Sequence, residues 1–246
     1  MKLSRWSMIF TFSLLSVSII TYLTQILLFH DARNTFFYML QDFAFVPIQV
    51  LLVTLIIDEL LRRREKQELQ NKLNMVIGAF YSDMGTHLVK ELSLVDAHSD
   101  YLRSVFSFGA DWTDKHFANA QRQVCQHQYA IACQSSDLLN IRAFLLEKRS
   151  FLLALLANPN LLEHESFTDL LWSICHLTEE LDARIDLTNL PKDDLTHLAG
   201  DIQRAYRLLL FEWLAYVKHL RNEYPYIYSL VMRTHPFLAK ASPVIN

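Results

Sequence analysis

The chain has 246 residues with 26 acidic and 23 basic side chains, a net charge of -3, so no overall charge draws it to nucleic acid and no nucleic-acid partner is expected. A hydrophobic content of 52% is high for a water-soluble protein and points to a membrane-embedded part. Four glycines and six prolines leave too few turns for a protein of many short strands, and the fold class expected is all-α.

The first apolar segment, Trp6 to Phe29, holds no charged residue. At 1.5 Å per residue it reaches about 36 Å against a hydrocarbon core of roughly 30 Å. Lys2 and Arg5 fit the basic start of a signal peptide, but the apolar run is longer than a signal's and no Ala-x-Ala-like site follows, so it reads as an uncleaved anchor. A second segment of similar length, Phe36 to Ile57, contains Asp42, Pro47 and Gln49. Basic residues flank the pair on the outside (Lys2 and Arg5 before, Arg62, Arg63, Arg64 and Lys66 after), with Arg33 alone between them, which places both termini in the cytoplasm.

Asp42 and Gln49 are seven residues apart and share a helix face, and Pro47 frees the carbonyl of Phe43 between them. Intramembrane ionisable groups are functional candidates, so this face could line a water path. In the other reading, residues 34–42 lie along the outer surface and the span is Phe43 to Leu61, which leaves Asp42 merely interfacial.

Beyond Asp58 the same helix leaves the bilayer. Arg62, Arg63, Arg64 and Lys66 form a membrane-surface cluster at the level of anionic headgroups, where a topology signal alone would also put them. Acid-before-base pairs (Asp58 with Arg62, Glu59 with Arg63, Glu68 with Lys72) support a continuing stalk. Leu69, Leu73, Val76, Phe80, Met84, Leu88 and Leu92 then lay one apolar stripe on it. Either the chain's own later helices cover that stripe or a second copy does. Gly78 and Gly85 would lie on similar faces and permit a close helix crossing.

The remainder reads as a helical bundle. One helix begins at Asp111 and runs to Cys133, Ser135 or Ser136 caps the next, and Pro159 ends that one. Another runs from about Asn160, Pro191 opens a long one, and Pro225 breaks it. In the long helix Leu195, Leu198, Ile202, Tyr206, Leu209 and Trp213 form a core face, and the tail after Pro236 frays.

Candidate chemistry is sparse. Cys125, Cys133 and Cys175 form no Cys-x-x-Cys pair and read as reduced core residues. His176 with Glu179, and Asp194 with His197, sit at i,i+3 and could each point two metal ligands one way, but they do not reproduce the Glu-x-x-His pairs of a bundle di-metal centre. Arg122 and His127 match the Arg-x4-His spacing of HEPN-type helical ribonucleases, a spacing that arises readily by chance. There is no Gly-rich phosphate loop, His-Glu-x-x-His helix or Gly-x-Ser-x-Gly elbow. No catalytic residue, metal ligand or cofactor is assigned.

The stretches "LNMVIGAFYSDMG", "HLAGDIQRAYRLLLFEWL" and "YPYIYSLVMRTHPF" resemble segments of an uncharacterised family of bacterial two-span membrane proteins, over most of the chain. The resemblance implies an inner-membrane location and a stalk and helical domain that form one unit; it brings no activity. The organisation expected is a two-helix anchor (1–61), a stalk helix (62–92) and a cytoplasmic helical domain (93–246). The function expected is a membrane-tethered interaction or scaffold module, with the lipid bilayer, a protein partner or further copies of the chain as partners. A homo-oligomeric pore lined by the second span, and a membrane-anchored metal-dependent or ribonuclease-like enzyme, are the alternatives.

Overall fold

The computed structural model describes residues 5–107, 112–238 and 240–244; Lys2 and the Asp111 cap lie outside the described residues. Among the described residues the fold is all-helical, with one isolated bridge between Asp96 and Ile131. The chain divides into two compact units, Met1–Lys66 and Gln67–Asn246.

In the first unit, α1 (Arg5–Phe29) and α2 (Ala32–Phe80) are joined by His30 and Asp31. His30 has a φ of 52° and its amide donates to the Ile26 carbonyl at 3.0 Å, a left-handed C-terminal cap. Asp31 caps α2: its carboxylate accepts from the Asn34 amide at 3.1 Å and from Asn34 Nδ2 at 2.6 Å. Residues 34–42 are therefore part of α2, which continues past Pro47 without a break. Both helices are long and apolar enough to cross a membrane. From Ile9 to Leu61 most of their large apolar side chains lie open, with Phe12 71%, Leu27 72% and Phe43 75% exposed. Surface of this kind is costly in water and cheap in lipid.

The second unit takes in the end of α2. Leu73, Phe80, Met84, Leu88 and Leu92 of the stripe are buried, with Leu69 and Val76 packed at the margin, so the chain's own helices cover it. A π-helical turn, Tyr81–Gly85, follows α2 and leads into α3 (Thr86–Leu94) and the short α4 (Ser99–Val105). The Thr86 hydroxyl donates to the Tyr81 carbonyl at 2.8 Å across this turn. The crossing role expected of the two glycines is filled differently: a Cβ on Gly85 would come within 2.7 Å of the Phe80 and Tyr81 rings, whereas one on Gly78 would meet only Tyr216, at 3.7 Å. Tyr81 stacks on Tyr216 with centroids 5.0 Å apart and donates to the Leu209 carbonyl at 2.9 Å, which joins the turn to the longest helix of the unit.

Helix α5 (Asp114–Gln126) is capped by Thr113, with His116 reciprocating, and stops seven residues short of the expected Cys133. The cause is tertiary. Residues 127–132 are extended because their backbone pairs with residues 95–97: Ala97 donates to Ala130 at 3.0 Å and Ala132 to Val95 at 2.9 Å. Helix α6 (Ser135–Leu156) is capped by Gln134 in a reciprocal pair with Asp137, one residue before the expected serines. A 3-10 turn, Pro159–Glu163, occupies the start of the expected next helix, and α7 (Glu165–Ala183) begins only at its His164 cap. Pro191 precedes α8 (Lys192–Glu223), and α9 (Pro225–Thr234) starts at the expected break. Leu198, Ile202, Tyr206, Leu209 and Trp213 of the expected α8 face are buried, with Leu195 partly so. At about 1.5–3 kcal/mol for each fully buried large apolar side chain, this face is a main source of the unit's stability.

Candidate functional site

Helices α7 and α8 run antiparallel: Arg184, just past the end of α7, meets Asp194 near the start of α8, and His176, two turns back on α7, meets Asp201. Between them lies a cluster of two histidines and two carboxylates. His176 and Glu180 are one turn apart on α7, and His197 and Asp201 are one turn apart on α8. Asp201 Oδ2 stands 3.5 Å from His176 Nε2 and 3.4 Å from His197 Nε2. Glu180 stands 3.5 Å from His197 and 3.9 Å from His176.

Arginines orient the carboxylates from outside. Arg184 donates to Glu180 Oε2 at 2.7 Å and grips Asp194 with two bonds of 2.9 and 2.6 Å. Arg204 donates to Asp201 Oδ1 at 3.0 Å. The Arg184 bond holds the Glu180 and Asp194 carboxyls below their usual range, and the Asp194 bond raises Arg184 in return. Asp201 is 3% exposed, and its Oδ2 accepts no hydrogen bond among the described residues. An open groove of 420 Å³ adjoins the cluster, lined by Trp172, Asp169, Arg204, Arg207 and His176 itself.

Both expected histidines meet here, but with other acids. Glu179 is exposed on α7 and Asp194 is held by Arg184, so Glu180 and Asp201, at i,i+4, take their places. Glu180 and Asp201 were open to sequence reasoning through the repeated spacing His-x3-Glu and His-x3-Asp.

A second buried polar centre is structural. Asp96 is 2% exposed; its Oδ1 accepts from the His98 and Ala130 amides at 3.1 Å each, and His127 Nε2 donates to its Oδ2 at 2.9 Å. Tyr101 stacks on the His127 ring with centroids 5.4 Å apart and Tyr129 meets it edge-on at 4.5 Å. His127 thus binds its own fold together, while Arg122, the other half of the ribonuclease-like spacing, is exposed on α5. Burial pushes the Tyr129 and Tyr206 phenols up, and the Asp96 charge adds to this. Glu212, also buried, is raised by burial and accepts from the Ser166 hydroxyl.

In the first unit, Arg62, Arg63, Arg64 and Lys66 are all exposed on α2. Arg63 pairs with Glu59 at 2.6 Å as expected, and Arg62 reaches the same carboxylate at 3.3 Å, where Asp58 was the expected partner. Asp42 and Gln49 are exposed as well. Cys133 and Cys175 are half-buried, with burial pushing the Cys133 thiol up to about 11 and raising Cys175; Cys125 is exposed.

A family model described as "Uncharacterized protein MJ1433, C-terminal helical domain" matches residues 69–233, and one described as "MJ1433, N-terminal helical domain" matches residues 2–61. The chain belongs to this family. It is similar to "Uncharacterized protein MJ1433" of Methanocaldococcus jannaschii, 41% identical over 233 residues that cover 95% of this chain and 94% of that protein. The MJ1433 relative is archaeal, where the resemblance read from the sequence points to bacteria. The gap between the two matched segments, 62–68, lies on α2 and contains the division of the chain after Lys66. No solved structure matches.

Proposed function

We propose that the protein is a two-span plasma-membrane protein, in a bacterium an inner-membrane one, with both termini cytoplasmic and a helical unit that acts as a membrane-tethered interaction or scaffold module. The observation that carries this reading is the continuity of α2: one helix contains the second apolar segment and supplies Leu73, Ile77 and Phe80 to the core of the helical unit. The exposed cations from Arg62 to Lys66 suit the cytoplasmic headgroup region. For a partner, the groove beside Trp172, which is 61% exposed, offers the residue types that dominate interface hot spots, with Arg204 and Arg207 at its side.

The pore remains a second reading because Asp42 and Gln49 share an exposed face of α2. Reconstituted liposomes separate the two. The module reading expects no ion flux above that of empty liposomes. A flux that Asp42→Asn alters would overturn it in favour of a path lined by α2, since a ring of carboxylates attracts cations.

A further inference from the structure

We propose that Glu180, His197 and Asp201, with His176 beside them, form a binding site for one divalent transition-metal ion of the zinc type. Nitrogen and carboxylate-oxygen donors are the ligands such an ion takes. Those of Glu180, His197 and Asp201 all lie within 4.8 Å of one another.

The distances decide between a metal site and a set of ion pairs. An imidazole N–H donating to a carboxylate sits at about 2.7–2.9 Å, as His127 does on Asp96 at 2.9 Å. The ring nitrogens of His176 and His197 stay 3.5 and 3.4 Å from Asp201 Oδ2, too long for good hydrogen bonds. Two ligands sharing one ion at about 2.0–2.1 Å stand about 3.4 Å apart along a tetrahedral edge. The two imidazole separations from Asp201 Oδ2, 3.5 and 3.4 Å, have that length, and His197 to Glu180 at 3.5 Å is close to it, while His176 to Glu180 at 3.9 Å is longer.

Asp201 supplies the independent sign. It is 3% exposed, one oxygen is taken by Arg204, and the other accepts no hydrogen bond while facing both imidazoles. Buried carboxylate oxygens are normally satisfied, and a bound cation satisfies this one. The rest of the arrangement is what metal ligands need around them. Arg204 holds Asp201 Oδ1 and leaves Oδ2 for the ion, while Arg184, itself fixed by Asp194, holds Glu180 Oε2, the oxygen 3.5 Å from His197, and leaves Oε1, 3.9 Å from His176. The half-exposed histidines and the adjoining groove give the ion a way in. With ligands one turn apart on each of two helices, the ion clamps α7 to α8.

Zn2+ added to the metal-free full-length protein in mild detergent, in competition with a chelator of known affinity, tests the site. The wild type should bind one Zn2+ per chain, and Co2+ in its place should give the intense visible absorption of a four-coordinate ion. His197→Gln, a change at a 54% exposed side chain, should weaken Zn2+ binding at least about 100-fold, and Asp201→Asn should do the same without altering shape. His87→Gln is the control: His87 and Glu91 have the same i,i+4 spacing, at 3.7 Å, on one helix only, and their loss should leave binding unchanged. Zn2+ should raise the melting temperature of the wild type and of His87→Gln, and not that of His197→Gln. Wild-type affinity no better than that of His197→Gln, or equal weakening by His87→Gln, would overturn the site.

Discussion

Replacement of Asp96 probes the packing that sequence periodicity does not reveal. The carboxylate accepts three hydrogen bonds in a fully buried setting: one from His127 at 2.9 Å and two from backbone amides at 3.1 Å. Asp96→Ala deletes both acceptor oxygens, and with them all three bonds, and leaves a buried imidazole and two amides without partners. Removing one partner of a buried, bonded charge costs about 3–5 kcal/mol, so this variant should fall at the upper end of that range. Asp96→Asn keeps the shape and one acceptor oxygen, loses the charge, and should cost about 1–3 kcal/mol. Trp213, 1% exposed in the same unit, reports unfolding by its fluorescence when the full chain is melted in detergent. A cost below about 1 kcal/mol for Asp96→Ala would show that residues 95–97 and 127–132 are held by backbone pairing alone, and the reasoning would fail.

The two glycine sites, Gly78 in α2 and Gly85 in the π-helical turn, should respond with opposite signs. Gly85→Ala forces its Cβ against the buried Phe80 and Tyr81 rings and should destabilise by about 1–3 kcal/mol, whereas Gly78→Ala meets only Tyr216 at 3.7 Å and should stabilise by up to about 1 kcal/mol; thermal melts of both that moved the same way would refute the contrast. His235 is lowered by burial to about 4 from 6.5, so the unfolded chain binds its proton first; its contribution is intact above pH 6.5 and lost as pH falls toward 4, by up to about 3 kcal/mol. His235→Gln should flatten that limb of the stability profile, and an unchanged slope would contradict the assignment. Replacing the Asp31 cap by Ala should cost about 1 kcal/mol, while His30→Gly relieves a left-handed backbone and should be neutral or stabilising; the reverse order in melts of the purified chain would mean that the turn is not capped as described.

The elements with strong periodicity were readable from the sequence because their pattern reports burial directly. The stripe from Leu69 to Leu92 and the α8 face from Leu198 to Trp213 are examples. The end of α5 was not readable. Residues 127–132 carry no helix breaker, and what unwinds them is pairing with the backbone of residues 95–97, far earlier in the chain, together with the buried Asp96. Caps shifted by a residue, as Gln134 did from the serines, because cap identity depends on which side chain finds the third amide. The histidine cluster was half legible. Spacings of three and four both lie on one helix face, and only the opposing helix selects Glu180 over Glu179 and Asp201 over Asp194. No spacing in the sequence announces that α7 and α8 bring their two histidines together.

The central claim is that the helical unit lies on the cytoplasmic side, tied to the membrane through α2. Cys125 is the reporter to use, since it is exposed whereas Cys133 and Cys175 are half-buried thiols raised by burial. A membrane-impermeant thiol reagent applied to intact spheroplasts should leave Cys125 unmodified and label it as soon as the membrane is opened. Labelling of Cys125 in intact spheroplasts, abolished by Cys125→Ser, would contradict the account.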